Sequence, residues 1–364
     1  MEPLPEQSGT SSGKEGCVHV TELEVDGYER VIIGREPENN YHGIIAVHST
    51  VLGPGTGGTR FWNYANQDDA LNDALRLSRG MTYKSSLAGL PLGGGKSVIL
   101  GDNKTREREK IFRAHGRLVE FLKGKYIAAE DVGTSPADIA LVARETRHVG
   151  GLETTSGDPS PLTARGVFRA MQAAARYRWG SDHLSGKTVA LQGLGHVGYA
   201  LAEHLRQANA KLIVTDVDDE RASRAVEKLG ATRVSLDQIF AVPADIFAPC
   251  ALGGILNDET IPQLRVEMVV GAANNQLLEP RHGDLLKRRN ILYAPDYAAN
   301  AGGILSFGTV CSNWTAEFML QKVDAIYDTI LNIFAIADSE GITTAQAADR
   351  LAEKRLTRPA EAAD

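Results

Sequence analysis

Lys187-Thr-Val-Ala-Leu-Gln-Gly193-Leu-Gly195-His-Val-Gly198-Tyr-Ala-Leu-Ala-Glu-His-Leu-Arg206 is the stretch whose reading decides the fold. Thr188–Gln192 reads as a buried strand, the glycines as a turn, and the apolar spacing beyond them as a helix to about Gln207. A second apolar run, Leu212–Asp216, reads as the next strand. Strand, G-x-G-x-x-G turn, helix, strand and terminal acid together form the dinucleotide-binding pattern in the context that gives it meaning. Gly193 makes the tight turn, Gly195 admits the pyrophosphate to the backbone, and Gly198 lets the helix pack on the strand. The helix N-terminus offers free N–H groups and a positive dipole end. Leu194, His196 and Val197 complete the turn. Asp216 can accept hydrogen bonds from both adenosine ribose hydroxyls and repels a 2′-phosphate, so NAD is the expected cofactor; Val217 follows it at the same edge. A chance glycine turn is the alternative.

Beyond this stretch, strands near Ile246–Ala248, Met268–Gly271 and Ile291–Ala294 alternate with a helix near Arg221–Leu229 and further connections. That alternation predicts a doubly wound parallel sheet. A long helical pattern, Thr315–Asp338, carries Ile326, Ile330, Ile333 and Phe334 on one face. Toward the N-terminus, the Gly-, Ser- and Pro-rich segment Gly150–Pro161 reads as a hinge, and Thr163–Tyr177 as the helix leading out of it. Before the hinge, Val18–Ile33 and Gly43–Leu52 read as strands, Asn66–Ser86 and Arg106–Lys123 as helices, and Tyr126–Ala129 as a short strand. Asp68, Asp69 and Asp73 suit the positive end of the first helix.

The chemistry concentrates in Gly80-Met-Thr-Tyr-Lys84-Ser-Ser-Leu-Ala-Gly-Leu-Pro-Leu-Gly-Gly-Gly-Lys96-Ser-Val-Ile. Two lysines stand in a segment with almost no other charge. An apolar environment strips a lysine of hydration and lowers its pKa toward the range of a general base. The pairing suggests one lysine for an anion and one for proton chemistry; two surface lysines around a loop are the alternative. Pro91 and Gly93–Gly95 are expected to break structure before a strand from Ser97 to Leu100.

Length and composition agree with two domains: 364 residues, 43% hydrophobic and 23% charged. A net charge of −7 and the absence of a basic run argue against nucleic acid as partner. No apolar run is long enough to span a bilayer, so no membrane is expected. Cys17, Cys250 and Cys311 show no metal-ligand spacing, so no metal is expected, and their odd number suits a reducing cytoplasm. Met1–Gly16 is polar and expected to be disordered.

Several of these segments, taken in order, resemble the glutamate/leucine/phenylalanine/valine dehydrogenase family. Leu-Pro-Leu-Gly-Gly-Gly-Lys96-Ser-Val resembles its signature, Leu52-Gly-Pro-Gly-Thr-Gly57-Gly58-Thr-Arg60 its substrate-site glycine pair, and Ala129-Glu-Asp131-Val-Gly-Thr its catalytic aspartate segment. Pro161-Leu-Thr163-Ala-Arg-Gly-Val, Gly271-Ala-Ala-Asn274-Asn275-Gln-Leu and Ala294-Pro-Asp-Tyr-Ala-Ala-Asn300-Ala-Gly-Gly resemble further family motifs. The likeness runs from about Gly43 to Arg355 and is nearer to the leucine-type branch than to the longer glutamate enzymes.

The resemblance implies an N-terminal α/β substrate domain, 17–150 plus about 330–364, a Rossmann domain, 151–329, and a cleft between them. It implies NAD-dependent oxidative deamination of an L-amino acid to the 2-oxo acid and ammonium, in a self-associating cytoplasmic enzyme. Lys84 would hold the substrate carboxylate, Lys96 act as general base, and Asp131 shuttle protons, with Lys84 lowering the pKa of Lys96 by like-charge repulsion. Gly57, Gly58 and Met81 would border the substrate, although a helix methionine is equally a core residue. Thr163, Asn274 and Asn275 would meet the nicotinamide end, with Asn275 also toward substrate; Asn300 would orient substrate or carboxamide. Cys250-Ala251-Leu252 would lie beneath the cofactor ribose, Cys250 also being compatible with a plain buried thiol. Asp131 read alone is also a possible helix cap.

The family's side-chain pocket maps onto Thr56, Ala129, Ile304 and Phe307. Thr56 and Ser306-Phe307 depart from the leucine pattern, which leaves the side chain open among leucine, valine and isoleucine or an aromatic alternative, phenylalanine or tryptophan. A 2-hydroxy acid dehydrogenase would need a histidine motif that is missing, and a non-catalytic NAD-binding homologue would not be expected to keep both Lys96 and Asp131.

Overall fold

The structure, a computed structural model, describes residues 16–151, 158–306 and 314–357. The expected tail up to residue 15, most of the hinge, Phe307 and Cys311 lie outside the described residues. The chain divides into two compact units, one of the described residues up to 151 together with Leu356 and Thr357, the other spanning Asp158–Arg355.

In the first unit the strands are β1 His19–Leu23, β2 Arg30–Glu36, β3 Tyr41–Ser49, β4 Gly55–Trp62, β5 Gly93–Leu100 and β6 Tyr126–Glu130. They form one sheet in the order β1-β2-β3-β5-β4-β6, antiparallel through β3–β5 and parallel across β5–β4–β6. Helix α1, Gln67–Ala88, covers one face, packing Ala70 and Ala74 against Ile33, Ile44, Ala46 and Val98. Helix α2, Arg108–Phe121, covers the other, placing Phe112 and Leu118 among Ile45, Phe61, Ile99 and Tyr126. A short helix, α3 Pro136–Val142, opens on a capping box in which Ser135 and Asp138 exchange bonds. Burial of β3 and β5 on both faces explains the apolar runs Ile44–Val47 and Val98–Leu100.

Two expectations are corrected here. Gly93–Gly95 do not break structure; they begin β5 itself. A Cβ on Gly94 would stand 2.1 Å from the backbone nitrogen of Thr82, and one on Gly95 would stand 2.5 Å from the Tyr126 ring. The glycines therefore serve close packing within a strand. The first helix also runs past the expected end at Ser86: α1 continues to Ala88 and stops at Gly89, in the left-handed conformation with φ 71°.

The second unit begins with α4, Ser160–Trp179. Strands β7 Thr188–Gln192, β8 Lys211–Thr215, β9 Thr232–Arg233, β10 Ile246–Pro249, β11 Met268–Val269 and β12 Leu292–Tyr293 follow, with α5 His196–Gln207, α6 Asp219–Leu229 and α7 Arg281–Arg288 among them. The sheet is wholly parallel, in the order β12-β11-β10-β7-β8-β9. That is the doubly wound dinucleotide-binding order, whose reversal point falls beside β7. Short helices α8 Asp296–Ala299 and α9 Gly302–Leu305 follow. The single expected helix over 315–338 is two, α10 Ala316–Asp324 and α11 Ile326–Glu340, before α12 Thr344–Leu356. Residues 330–355 group with the second unit, not with the first as expected. The reason is packing: the Phe334 ring of α11 lies 4.9 Å from that of Tyr177 on α4.

Candidate active site

In the first unit three parallel strands deliver the chemistry. Lys96 lies inside β5 and is 5% exposed. Its Nζ donates to Asp131 Oδ2 at 2.7 Å. Asp131 follows β6 in a turn pinned to β4: its N–H donates to Thr134 Oγ1 at 2.9 Å, and Thr134 Oγ1 donates to the Thr59 carbonyl at 3.1 Å. Gly133 in this turn has φ 82°, and a Cβ there would meet the Phe61 carbonyl at 1.9 Å. The cap of the next helix is Ser135, so Asp131 is not a helix cap.

Burial lowers the pKa of Lys96, opposed by Asp131 and assisted by the cation Arg60. Burial would raise Asp131, but Lys96 and then Arg60 hold it below the usual carboxylate range. A desolvated amine against an ionised carboxylate is suited to taking and returning protons.

Lys84 is half-buried on α1, two residues beyond Thr82, whose backbone is the near neighbour of Gly94. The lysines thus stand on two elements pressed together at Gly94. Gly57 and Gly58 lie in β4; a Cβ on Gly57 would stand 1.8 Å from the Gly95 carbonyl, and one on Gly58 2.6 Å from Asp131 Cβ. Met81 is half-buried on α1. Thr56 and Ala129 are buried on β4 and β6, and the Thr56 hydroxyl donates to the Pro54 carbonyl at 3.4 Å.

Sequence reasoning gave no role to Arg60, Tyr64 or Thr134, and misread Asp73. Arg60 Nε donates to Asp131 Oδ2 at 3.0 Å and Nη1 to Asp73 Oδ2 at 2.7 Å. Tyr64 also donates to Asp73, at 2.7 Å. Asp73 therefore answers Arg60 rather than the helix dipole, whose influence fades after the first turn. The available signal was strand alternation: Gly58 and Arg60 share a face of β4, so Asp131 above one must meet the other.

In the second unit the glycine turn joins β7 to α5. Gly193 has φ 94°, and a Cβ on Gly198 would stand 2.0 Å from the Gly193 carbonyl. At Gly195, the N-cap of α5, a Cβ would meet nothing within 4 Å. No side chain caps α5, which leaves its first N–H groups to an anion. His196 is exposed, Val197 half-exposed and Leu194 buried. Asp216 is 9% exposed, and its two oxygens accept the backbone N–H groups of Leu194 and Asp218. It thereby fixes the turn as well as presenting a carboxylate at the end of β8. Val217 and Leu252 are 83% and 79% exposed, apolar surface beside the turn that suits a planar ring. Cys250 has its thiol pushed up to about 12 by burial, and Ala251 lies over Gly193.

Thr163 lies in α4 and donates to the Pro159 carbonyl at 3.0 Å. Asn275 is exposed in the left-handed conformation, φ 53°. Asn300 is buried; its Nδ2 donates to Asn274 Oδ1 at 2.7 Å and the Ala272 carbonyl at 3.0 Å, so it joins the two asparagine segments. Its Oδ1 and Gln192 Oε1, at the end of β7, are buried acceptors with no donor among the described residues. Open space at Gly195, exposed apolar faces and orphaned acceptors fit a dinucleotide. Ile304 is 7% exposed in α9. Among the described residues no cluster could hold a metal ion.

The fold is thus that of a dinucleotide-dependent oxidoreductase, and its first unit holds a buried lysine hydrogen-bonded to a carboxylate. The family model for the Glu/Leu/Phe/Val dehydrogenase dimerisation domain matches residues 30–148, and that for glutamate/leucine/phenylalanine/valine dehydrogenase matches 214–362. A model for the NAD-binding domain of D-isomer-specific 2-hydroxyacid dehydrogenases matches 163–264, within the second unit alone. Leucine dehydrogenase of Geobacillus stearothermophilus is 51% identical over 337 residues, 92% of each chain. L-tryptophan dehydrogenase of Nostoc punctiforme is 47% identical, covering 91% of this chain and 94% of its own. Phenylalanine dehydrogenase of Thermoactinomyces intermedius is 45% identical, covering 91% and 92%. The crystal structure of L-tryptophan dehydrogenase from Nostoc punctiforme superposes with a TM-score of 0.85 at 43% identity, over 92% of this chain and 97% of that one. The chain belongs to the glutamate/leucine/phenylalanine/valine dehydrogenase family. It is an NAD-dependent amino acid dehydrogenase.

Proposed function

We propose that this enzyme reversibly deaminates branched-chain aliphatic L-amino acids, leucine, valine and isoleucine, to their 2-oxo acids. The observation that carries the reaction is the contact of buried Lys96 with half-buried Asp131 at 2.7 Å. Lys84 holds the substrate carboxylate and so fixes the α-carbon. Asp131 takes a proton from the substrate ammonium, leaving a neutral amine. Lys96, neutral when it acts, removes a proton from the water that attacks the imine carbon, and the protonated lysine then supplies one to the departing ammonia. Gly57 and Gly58 border the substrate through their backbone, as a side chain at either would collide with the protein. Amino acid, water and NAD⁺ give 2-oxo acid, ammonium, NADH and a proton, with NAD⁺ supplying the hydride acceptor. The glycine turn from Gly193 to Gly198, Asp216, Val217 and Leu252 hold that cofactor, and Asn274, Asn275, Asn300 and Thr163 serve its nicotinamide end.

Support for aliphatic substrates comes from the 51% identical leucine dehydrogenase and from Thr56 and Ala129, small buried residues that bring no cation to the mapped pocket. An acidic side chain there would be desolvated without a partner. The second reading, a phenylalanine or tryptophan preference, is favoured by relatives of those names at 45–47% identity over nine-tenths of the chain. A panel of kcat/KM values for leucine, valine, isoleucine, phenylalanine and tryptophan separates them. The aliphatic reading expects a graded preference, as a methylene is worth about 1–3 kcal/mol in an apolar pocket; a higher value for either aromatic substrate overturns it.

We also infer self-association through the first unit, which matches a dimerisation-domain model. Light scattering of the pure protein tests it, and a monomer mass would refute it. No helix among the described residues is long and apolar enough to cross a membrane, and Cys17 and Cys250 are unpaired; a cytoplasmic location accords with both.

A further inference from the structure

We infer that Arg60 is a positioning residue for the acid–base pair: it bridges Asp131 to Asp73 and sets the pH range over which Lys96 works. The inference rests on the reading of Lys96 as the base. The geometry is a line of alternating charge, Lys96–Asp131–Arg60–Asp73, with Tyr64 at its far end. Lys96 and Arg60 both donate to the same oxygen of Asp131, Oδ2. No side chain among the described residues donates to Oδ1. The two cations together hold that oxygen, and the backbone of Val132 also favours the ionised carboxylate.

Arg60 is itself held. Its side chain is 22% exposed and that of Asp73 14%, so their contact is poorly screened. Asp73 has further donors in Tyr64, at 2.7 Å, and Arg76, at 3.1 Å, which keep it from swinging away. The planar guanidinium reaches both carboxylates at once, through Nε and Nη1; an ammonium is a single point charge and cannot reproduce that fork.

The other titratable groups near the pair are Glu130 at the end of β6 and the buried Tyr126, both of which feel the charge of Asp131. His115 of α2 lies on the opposite side of β5, where its Nε2 is 3.1 Å from Ser97 Oγ, and burial lowers its pKa to about 3, so it carries no charge in the working range. Arg60 favours neutral Lys96 and ionised Asp131, whereas Asp73 favours protonated Lys96. Removing the two charges therefore has opposite effects on Lys96, which a purely structural role would not produce.

The test is the pH profile of kcat/KM for leucine oxidation in wild type, Arg60→Gln, Arg60→Lys and Asp73→Asn, with Lys96→Ala as reference. The substrate amine titrates identically in all of them, so any displacement of the acid limb belongs to the enzyme. Arg60→Gln is expected to move the limb upward by about half a unit or more. Arg60→Lys keeps the limb near its wild-type position but lowers kcat, because the charge remains and the fork is lost. Asp73→Asn moves the limb downward. An Arg60→Gln enzyme that is folded and slower with the limb unmoved overturns the inference while leaving Lys96 as base. If Arg60→Gln does not fold, Asp73→Asn decides: a downward displacement supports the inference and an unmoved limb overturns it. Wild-type turnover in Lys96→Ala would instead overturn the underlying reading.

Discussion

The two units each carry a glycine cluster beside their chemistry, and the clusters do different things. Gly93–Gly95 lie within β5, none in the left-handed region, and a Cβ at any of them would strike the protein. They remove side chains so that α1 and Tyr126 can press on the strand bearing Lys96. Gly193, Gly195 and Gly198 lie in a turn and at a helix start. One needs φ 94°, one is closed off by a carbonyl, and Gly195 faces open space. The first cluster makes room for protein, and the second makes room for a ligand. The same residue type thus serves close packing around a buried lysine in one unit and an open turn at a helix start in the other.

Paired substitutions sharpen that contrast. Gly94→Ala should give the larger effect: its Cβ would stand 2.1 Å from the Thr82 backbone nitrogen, which cannot retreat without moving α1. Overpacking of this kind costs about 3 kcal/mol or more. Denaturant unfolding should show a destabilised protein. Gly195→Ala should fold like wild type, since nothing lies within 4 Å of the added carbon. Its NADH affinity should fall by about tenfold, equivalent to ~1.4 kcal/mol of lost approach to the backbone. Wild-type stability for Gly94→Ala, or wild-type NADH binding for Gly195→Ala, would break the comparison.

The contrast also explains what was legible in the sequence. The second unit was readable in detail because its pattern is local: Thr188–Gln192 is the strand expected, and the glycine turn, its helix and β8 follow in sequence order. In the first unit the same local reasoning mistook Gly93–Gly95 for a break. Only the tertiary neighbours Thr82, Ser49 and Tyr126 reveal why a strand needs three glycines. The role of Arg60 is not legible in the sequence, because its partners Asp131 and Asp73 are 71 and 13 residues away. The grouping of residues 330–355 with the second unit is not legible in the sequence, because an amphipathic helix does not say which surface will cover it. The pocket expectation at Phe307 lies outside the described residues, so substrate choice rests on the kinetic panel.

The central claim is a division of labour, with proton chemistry in the first unit and NAD binding in the second. Lys96→Ala tests it most directly when turnover and NADH binding are measured on the same preparation. The account predicts that kcat falls by about 10²–10⁴-fold while NADH affinity stays close to wild type. Retained wild-type kcat, or loss of NADH binding in step with activity, would contradict it.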